Sequence, residues 1–459
     1  MRKTLRYLQA WLANPSTRKP LVLRGARQVG KTWMVRELAR IANKQLIELN
    51  FEKYIKWRDL FSSNNPKEIL LNLESELNIT INPEESLLFL DEIQAAPELL
   101  AKLRWFYEDM PSLPVIAAGS LLEFTLAEHE FSMPVGRITY LHAEPLSFEE
   151  FLVAQGQIKL YEFLGSWQWS QTIPASLHEK LMDYVKEYIF VGGMPEAVYR
   201  WQASRSLADI EQIHHSLLTT YRDDFAKYSK KISTARLDEI LMTIPKLLGE
   251  KFVFSRVNKE ISAGILKQAL QLLNMARVCH KVYATHGNGI PLGAEIKEGF
   301  LKVILLDVGL ASSLLDTKLH QLKQLDAISL VNQGGISEQI VGQLLRTLEP
   351  IYKEPQLYYW LREHKSANAE IDYLIQLHGK IVPIKVKSGS TGSLKSLHQF
   401  MHAKQLSRAI RINADLPSVV NVSVKIHSGE SVCYELLSIP FYLIGQLDRA
   451  LRKSDHFEE

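Results

Sequence analysis

The stretch 21-LVLRGARQVGKTWMVRELARIA-42 decides the fold. Three apolar residues lead into an Arg-Gly pair, residues 25–32 fit the pattern G-x-x-x-x-G-K-[ST], and an amphipathic run follows from Thr32. Strand, loop and helix in that order are the context the pattern requires. Gly25 and Gly30 open backbone conformations closed to bulkier residues. The N–H groups of Ala26, Arg27, Gln28, Val29 and Gly30 can therefore turn inward on phosphate oxygens at the positive end of the helix. The expected ligand is ATP with Mg2+, with Lys31 on the β- and γ-phosphates and Thr32 on the metal.

Outward from that loop, "QLIELNF" (45–51), "SLLFLDEI" (86–93), "PVIAAGS" (114–120) and "RITYLHAE" (137–144) alternate with amphipathic helical stretches. The alternation predicts an α/β domain, a parallel sheet with helices on both faces. In "LLFLDEIQ" four apolar residues set Asp91 at the end of a buried strand, where its carboxylate can hold the Mg2+ shell. Glu92 beside it can orient and deprotonate an attacking water. Ser120, ending the next strand, is placed to hydrogen-bond the γ-phosphate or the water. Arg137 stands just ahead of another strand at a spacing suited to an arginine finger, acting in its own subunit or on a neighbour in a homo-oligomer.

A chain of 459 residues exceeds what one core usually supports, so two to four domains are expected. With 54 basic and 51 acidic residues the net charge is +3, which argues against a dedicated polyanion binder and leaves room for a local basic patch. Cys279 and Cys433 offer neither metal-ligand spacing nor a disulfide framework, as suits a reducing compartment. The start, "MRKTLRYLQAWLANPSTRKP", lacks the apolar core of a signal peptide, and no apolar run reaches membrane-spanning length. A cytoplasmic protein without a membrane partner is expected. His214 and His215 are adjacent, point apart on a helix and have no partner ligand nearby in sequence, which speaks against zinc.

The order of residues 25–32, Asp91-Glu92, "AAGS", "GRITYLHAEPLSFEEF" and "VGGMPEAV" resembles a family of bacterial and archaeal AAA-superfamily ATPases. The resemblance continues through "KVILLDVGLASSLL", "SEQIVGQLL", "YYWLRE", "AEIDYLIQ" and "IVPIKVKSG", which look like that family's C-terminal domain of unknown function. It implies a P-loop ATPase core over 1–147, a helical lid and connector over 148–232, a winged-helix-like segment over 233–325 and a restriction-endonuclease-like domain over 326–459. In such ATPases the acidic residue at Glu92 is the catalytic base and the residue at Ser120 senses the γ-phosphate. Gly192, Gly193 and Pro195 shape a turn in the lid, and their recurrence in the family suggests closeness to the nucleotide. The helix "ISAGILKQALQLLNMA" holds one internal basic residue, Lys267, with Arg277 just beyond, which favours protein packing over DNA reading.

The nuclease fold resembled at the C-terminus gathers Mg2+ with a helical Glu, matched by Glu338, a strand Asp, matched by Asp372, and a Glu-x-Lys pair on the next strand. Lys387 matches the final lysine, but Lys385 stands where the second carboxylate belongs. That exchange removes a hard oxygen ligand and shifts the local charge by two units. Strand alternation puts Glu370 on the face of Asp372. Two lysines then meet up to three carboxylates, a set able to neutralise itself without metal. Three functions stay open: an ATP-hydrolysing switch whose degenerate nuclease-like domain serves recognition or assembly with a DNA or protein partner, an ATP-regulated nuclease in which Glu370 replaces the lost ligand, and a nucleotide-stabilised scaffold with little turnover.

Overall fold

The computed structural model describes residues 2–124, 134, 136–228, 232–317, 335–362, 369–386, 394–426 and 429–454. The chain divides into two units: Met1–Glu144 with Met275–Arg277 and Glu349–Glu354, and Pro145–Asn274 with Val278–Leu348 and Pro355–Glu459.

In the first unit, β1 (Leu21–Gly25), β2 (Gln45–Asn50), β3 (Ser86–Asp91), β4 (Val115–Ala118) and β5 (Thr139–Ala143) form one sheet in the order β2-β3-β4-β1-β5. Every pairing is parallel, as the alternation of strand and helix predicts. Such strands are covered on both faces, and Leu21, Val22, Leu23 and the run Leu87–Leu90 are accordingly buried. On one side Ile69 and Leu73 of the helix Pro66–Leu77 and Leu100, Leu103 and Phe106 of the helix Leu99–Asp109 pack with Ile47, Leu49, Leu88 and Leu90. Each such leucine contributes about 2 kcal/mol by leaving water. Asp91 and Leu23 both pair with Ala118, so β1, β3 and β4 end level at one edge of the sheet. Arg277 is buried here and pairs with Glu123 at 2.7 Å and Glu354 at 3.1 Å, so its charge is spent inside the unit.

The second unit holds β6 (Cys279–Thr285), β7 (Ile296–Leu305), β8 (Leu357–Arg362), β9 (Ala369–Leu377), β10 (Lys380–Val386), β11 (Arg408–Asn413), β12 (Ser418–Lys425) and β13 (Ser431–Pro440). They make one mixed sheet in the order β12-β13-β11-β10-β9-β8-β6-β7. The hairpin β6–β7, expected as a wing, pairs through β6 with β8 in parallel, so it continues the same sheet as the strands expected for the nuclease-like domain. Helix Lys395–Lys404 packs on β9 and β13 through Leu397, Phe400 and Met401, with the Phe400 ring edge-on to Trp360. Helix Gly335–Arg346 packs on β7, β8 and β10.

The helices expected as a lid belong to this unit, and the segment Ala175–Val191 packs on Val308–Leu314. Their joint is the buried carboxylate of Asp307. It caps the helix Val308–Leu314 through the N–H groups of Gly309 and Leu310 and accepts from Gly193 N at 2.6 Å and Gln343 Nε2 at 3.0 Å. A Cβ on Gly192, whose φ is +75°, would lie 1.9 Å from Asp307 Oδ1, which is why glycine stands there. The motifs "VGGMPEAV", "LLDVGLAS" and "SEQIVGQLL" thus meet at one residue. His214 is buried and bonds through Nε2 to Val191 O, a structural contact. Cys279 and Cys433 are both free. No helix among the described residues is long and apolar enough to cross a membrane.

Candidate active site

The loop leaves β1 at Gly25, where a Cβ would stand 2.5 Å from the carbonyl oxygen of Ala143 on β5, so only glycine lets the strand turn there. Gln28 at φ +63° and Gly30 at φ +89° complete the turn, and the helix Lys31–Ile41 begins at once. Lys31 is buried, and its Nζ donates to Gly25 O at 3.0 Å and Ala26 O at 2.8 Å, both in its own loop. Burial pushes the ammonium down to about 8 against the pull of Glu92 and Asp91.

Thr32, in the first turn, bonds through Oγ1 to Asp91 Oδ2 at 3.2 Å. Asp91 ends β3 with Asn50 Nδ2 at 3.4 Å, and burial together with the neighbouring Glu92 pushes its carboxyl up to about 6. Glu92 takes a left-handed conformation, φ 51° and ψ 47°, directly after the strand. Its Oε2 accepts a 2.6 Å bond from Gln94 Nε2. Ser120 lies two residues past the end of β4, level with the loop, and its buried Oγ has no hydrogen-bond partner among the described residues.

Lys31, Thr32, Asp91, Glu92 and Ser120 are thus gathered at one edge of the sheet. The set fits a nucleotide with Mg2+: backbone donors at a helix start, hydroxyl and carboxylate oxygens for a hard cation, and a buried hydroxyl still lacking an acceptor. Arg27 pairs with Glu52 at 3.4 Å. Arg137 is not brought to this edge. It precedes β5, whose Thr139 pairs with Leu21 and Ala143 with Gly25, and it pairs with Glu108 at 3.0 Å. Thr139 already stands about 13 Å along β5 from Ala143, which pairs beside the loop, and Arg137 lies beyond that end of the strand.

In the second unit Glu338 on the helix Gly335–Arg346 and Glu370 and Asp372 on β9 bring carboxylate oxygens within 4.8 Å of one another. Two ammonium groups answer them. Lys385 Nζ on β10 lies 2.5 Å from Asp372 Oδ1, whose other oxygen accepts from Val386 N at 2.6 Å. Lys302 on β7 lies 2.9 Å from Glu338 Oε2 and also pairs with Glu370 Oε1. Burial pushes Glu338 up to about 7 in spite of Lys302. Burial likewise disfavours the Lys302 ammonium, but Glu338, Glu370 and Asp372 together outweigh it and hold its pKa raised. Lys387 lies outside the described residues. Sequence reasoning missed Lys302, whose only signal is one lysine inside the apolar run "FLKVILL", and assigned no role to Gln94 of "DEIQ".

Residues 17–152 match the AAA domain family. Residues 182–321 and 333–431 match two domains of unknown function, DUF8612 and DUF4143. None of the curated proteins matches the chain. Among solved structures, the Walker-type ATPase PABY2304 of Pyrococcus abyssi is 16% identical over 68% of this chain and 94% of its own, with a TM-score of 0.41. The ORC2 protein of Aeropyrum pernix is 12% identical over 70% of this chain and 93% of its own, with a TM-score of 0.34. A RuvB variant of Thermotoga maritima is 18% identical over 60% of this chain and 87% of its own, with a TM-score of 0.28. Likenesses of this size carry no chemistry over to the chain. The match to the AAA domain falls on the residues that form the loop, the strand-end carboxylates and the buried serine, which makes an AAA-type nucleotide-binding domain the coarse reading of the first unit.

Proposed function

We propose that the chain is an ATP-hydrolysing switch whose C-terminal half resembles a nuclease without its chemistry and serves recognition or assembly. The observation that carries the first part is the Thr32 to Asp91 hydrogen bond, which joins the loop to the strand-end acidic pair. Lys31 exchanges two loop carbonyls for phosphate oxygens, which its charge prefers. Thr32 and Asp91 would hold Mg2+, which when bound neutralises phosphate charge. Glu92 takes a proton from the attacking water, and Ser120 donates its hydroxyl to a γ-phosphate oxygen. Arg137 acts, if as a finger, on a neighbouring copy, because its own loop lies at the opposite end of β5.

The test is ATP binding and turnover in wild type, Lys31→Ala and Glu92→Gln. Lys31→Ala should lose binding, and Glu92→Gln should bind and not turn over. Binding without turnover in the wild type would leave the scaffold reading instead. Turnover per subunit should rise with protein concentration if Arg137 works in trans. A second reading, a metal-dependent nuclease, is favoured by the three clustered carboxylates. Against it stand Lys302 and Lys385, whose ammonium groups already pair with all three.

A further inference from the structure

Two residues beyond Glu92, Gln94 is turned back on it. The short helical turn Ile93–Ala95 brings its amide alongside the carboxylate, with Nε2 2.6 Å from Glu92 Oε2 and 3.4 Å from Glu52 Oε1. Its other end is unspent: Oε1 is buried and has no hydrogen-bond partner among the described residues. The amide fits there only because residue 119 is glycine, since a Cβ on Gly119 would stand 2.5 Å from Gln94 Oε1. The next residue is Ser120, whose buried Oγ also has no hydrogen-bond partner among the described residues. Two unsatisfied oxygens beside the acidic pair are costly unless something visits them.

A water that attacks phosphorus must aim a lone pair at it, and it does so steadily only when both of its hydrogens are held elsewhere. Glu92 can hold one. We propose that Gln94 holds the other: its amide N–H fixes the Glu92 carboxylate, and its Oε1 accepts from the attacking water. The proposal rests on reading Asp91 and Glu92 as the hydrolytic pair. In the step, the water oxygen forms a bond to the γ-phosphorus. The bond from that phosphorus to the β,γ-bridging oxygen breaks, and its electron pair leaves on ADP. One water proton passes to Glu92, and the other stays on the oxygen that becomes part of the inorganic phosphate, bonded to Gln94 Oε1 during attack. Glutamines orient attacking waters in this way in other phosphoryl-transfer sites.

The experiment measures ATP affinity, KM, kcat and melting temperature for wild type, Gln94→Ala, Gly119→Ala, Glu92→Gln and the double variants. Gln94→Ala should keep affinity and KM within about threefold while kcat falls about 10- to 100-fold. Gly119→Ala, which pushes the amide off with its chemistry intact, should lower kcat in the same way and add nothing in the Gln94→Ala background. Glu92→Gln with Gln94→Ala should be no slower than Glu92→Gln alone, because the two act on one water. A kcat within twofold of wild type in Gln94→Ala overturns the proposal. So do losses that add in the double variant, or affinity and melting temperature that fall in step with kcat. Should Gln94→Ala fail to fold, an unchanged kcat in Gly119→Ala is sufficient to overturn it. Absence of turnover in the wild type is the separate failure of the hydrolysis reading, and it removes the role of Gln94 with it.

Discussion

Thr32 Oγ1 and Asp91 Oδ2 lie 3.2 Å apart, so the first turn after the phosphate loop and the end of a strand 59 residues later present one hydroxyl and one carboxylate to the same point. Around that point the burdens of burial fall on Lys31, held down to about 8, and on Asp91, held up to about 6. Each is perturbed in the direction that a bound polyphosphate or a bound cation would reverse.

For Lys31 the consequence is a proton taken up on binding. The free protein loses this proton near pH 8, and phosphate charges favour the ammonium, so its pKa rises when ATP binds. ATP affinity should fall as pH rises through about 8, and calorimetry near pH 9 in two buffers of different ionisation heat should report uptake of up to about one proton. Binding with no proton exchange there would mean that Lys31 does not meet the phosphates.

Asp91 leads to the opposite trade. Its folded pKa is raised above the ordinary carboxylate value, so its contribution to stability is fully present below about pH 4 and is lost as pH rises through about 6. Asp91→Asn removes that burden while the amide oxygen still accepts from Thr32. After allowance for partial solvent access, the nucleotide-free variant should gain on the order of 1 kcal/mol at neutral pH, a few degrees in melting temperature. Mg2+-dependent ATP binding should weaken at least tenfold, about 1.4 kcal/mol. A variant that melts lower than wild type at pH 7 and matches it at pH 4 would contradict the sign.

How much of this was legible depends on how local each signal is. The parallel sheet of the first unit follows from short apolar runs, and the loop, Asp91, Glu92 and Ser120 from residue types at fixed offsets from them. Arg137 looked well spaced along the chain, yet strand direction puts it at the far edge, a matter of topology that spacing does not carry. Lys302 was invisible for a related reason: it reads as a lapse in an apolar strand until Glu338, 36 residues on, is folded against it. From its own pattern the β6–β7 hairpin is expected to be a wing, and only its pairing with β8 makes it part of a larger sheet.

Lys302 is therefore predicted to carry more stability than any surface pair. Removing one partner of a buried ion pair strands the others, at a cost of about 3–5 kcal/mol. Lys302→Met should lower the melting temperature by roughly 10 °C near neutral pH. The loss should be larger near pH 8 than near pH 6, because Glu338, already raised to about 7, takes up a proton more readily once its ammonium is gone. Differential scanning calorimetry at both values checks the sign, and an equal loss at the two pH values would remove Lys302 from the cluster's balance.

The same cluster tests the nuclease reading. Glu338, Glu370 and Asp372 carry three negative charges when ionised, and Lys302 and Lys385 return two, so a single proton on Glu338 is enough for neutrality. A Mg2+ entering this set would have to displace ammonium groups that already lie within hydrogen-bond distance of the oxygens it needs, or share them at like-charge repulsion. Wild-type protein should accordingly show no Mg2+- or Mn2+-dependent cleavage of linear, nicked or supercoiled DNA, with or without ATP. Mn2+ in millimolar excess should leave the melting temperature unmoved in an Asp91→Asn background, where the nucleotide site has lost the carboxylate that would hold metal. Lys385→Glu restores a carboxylate beside Asp372 but deprives the cluster of half its positive charge, so that variant should melt lower without metal and recover part of the loss when Mn2+ is added. Cleavage by the wild type that vanishes in Asp372→Ala would establish the opposite: Glu370 would then be a working ligand, and the lysines would have to move aside for the metal.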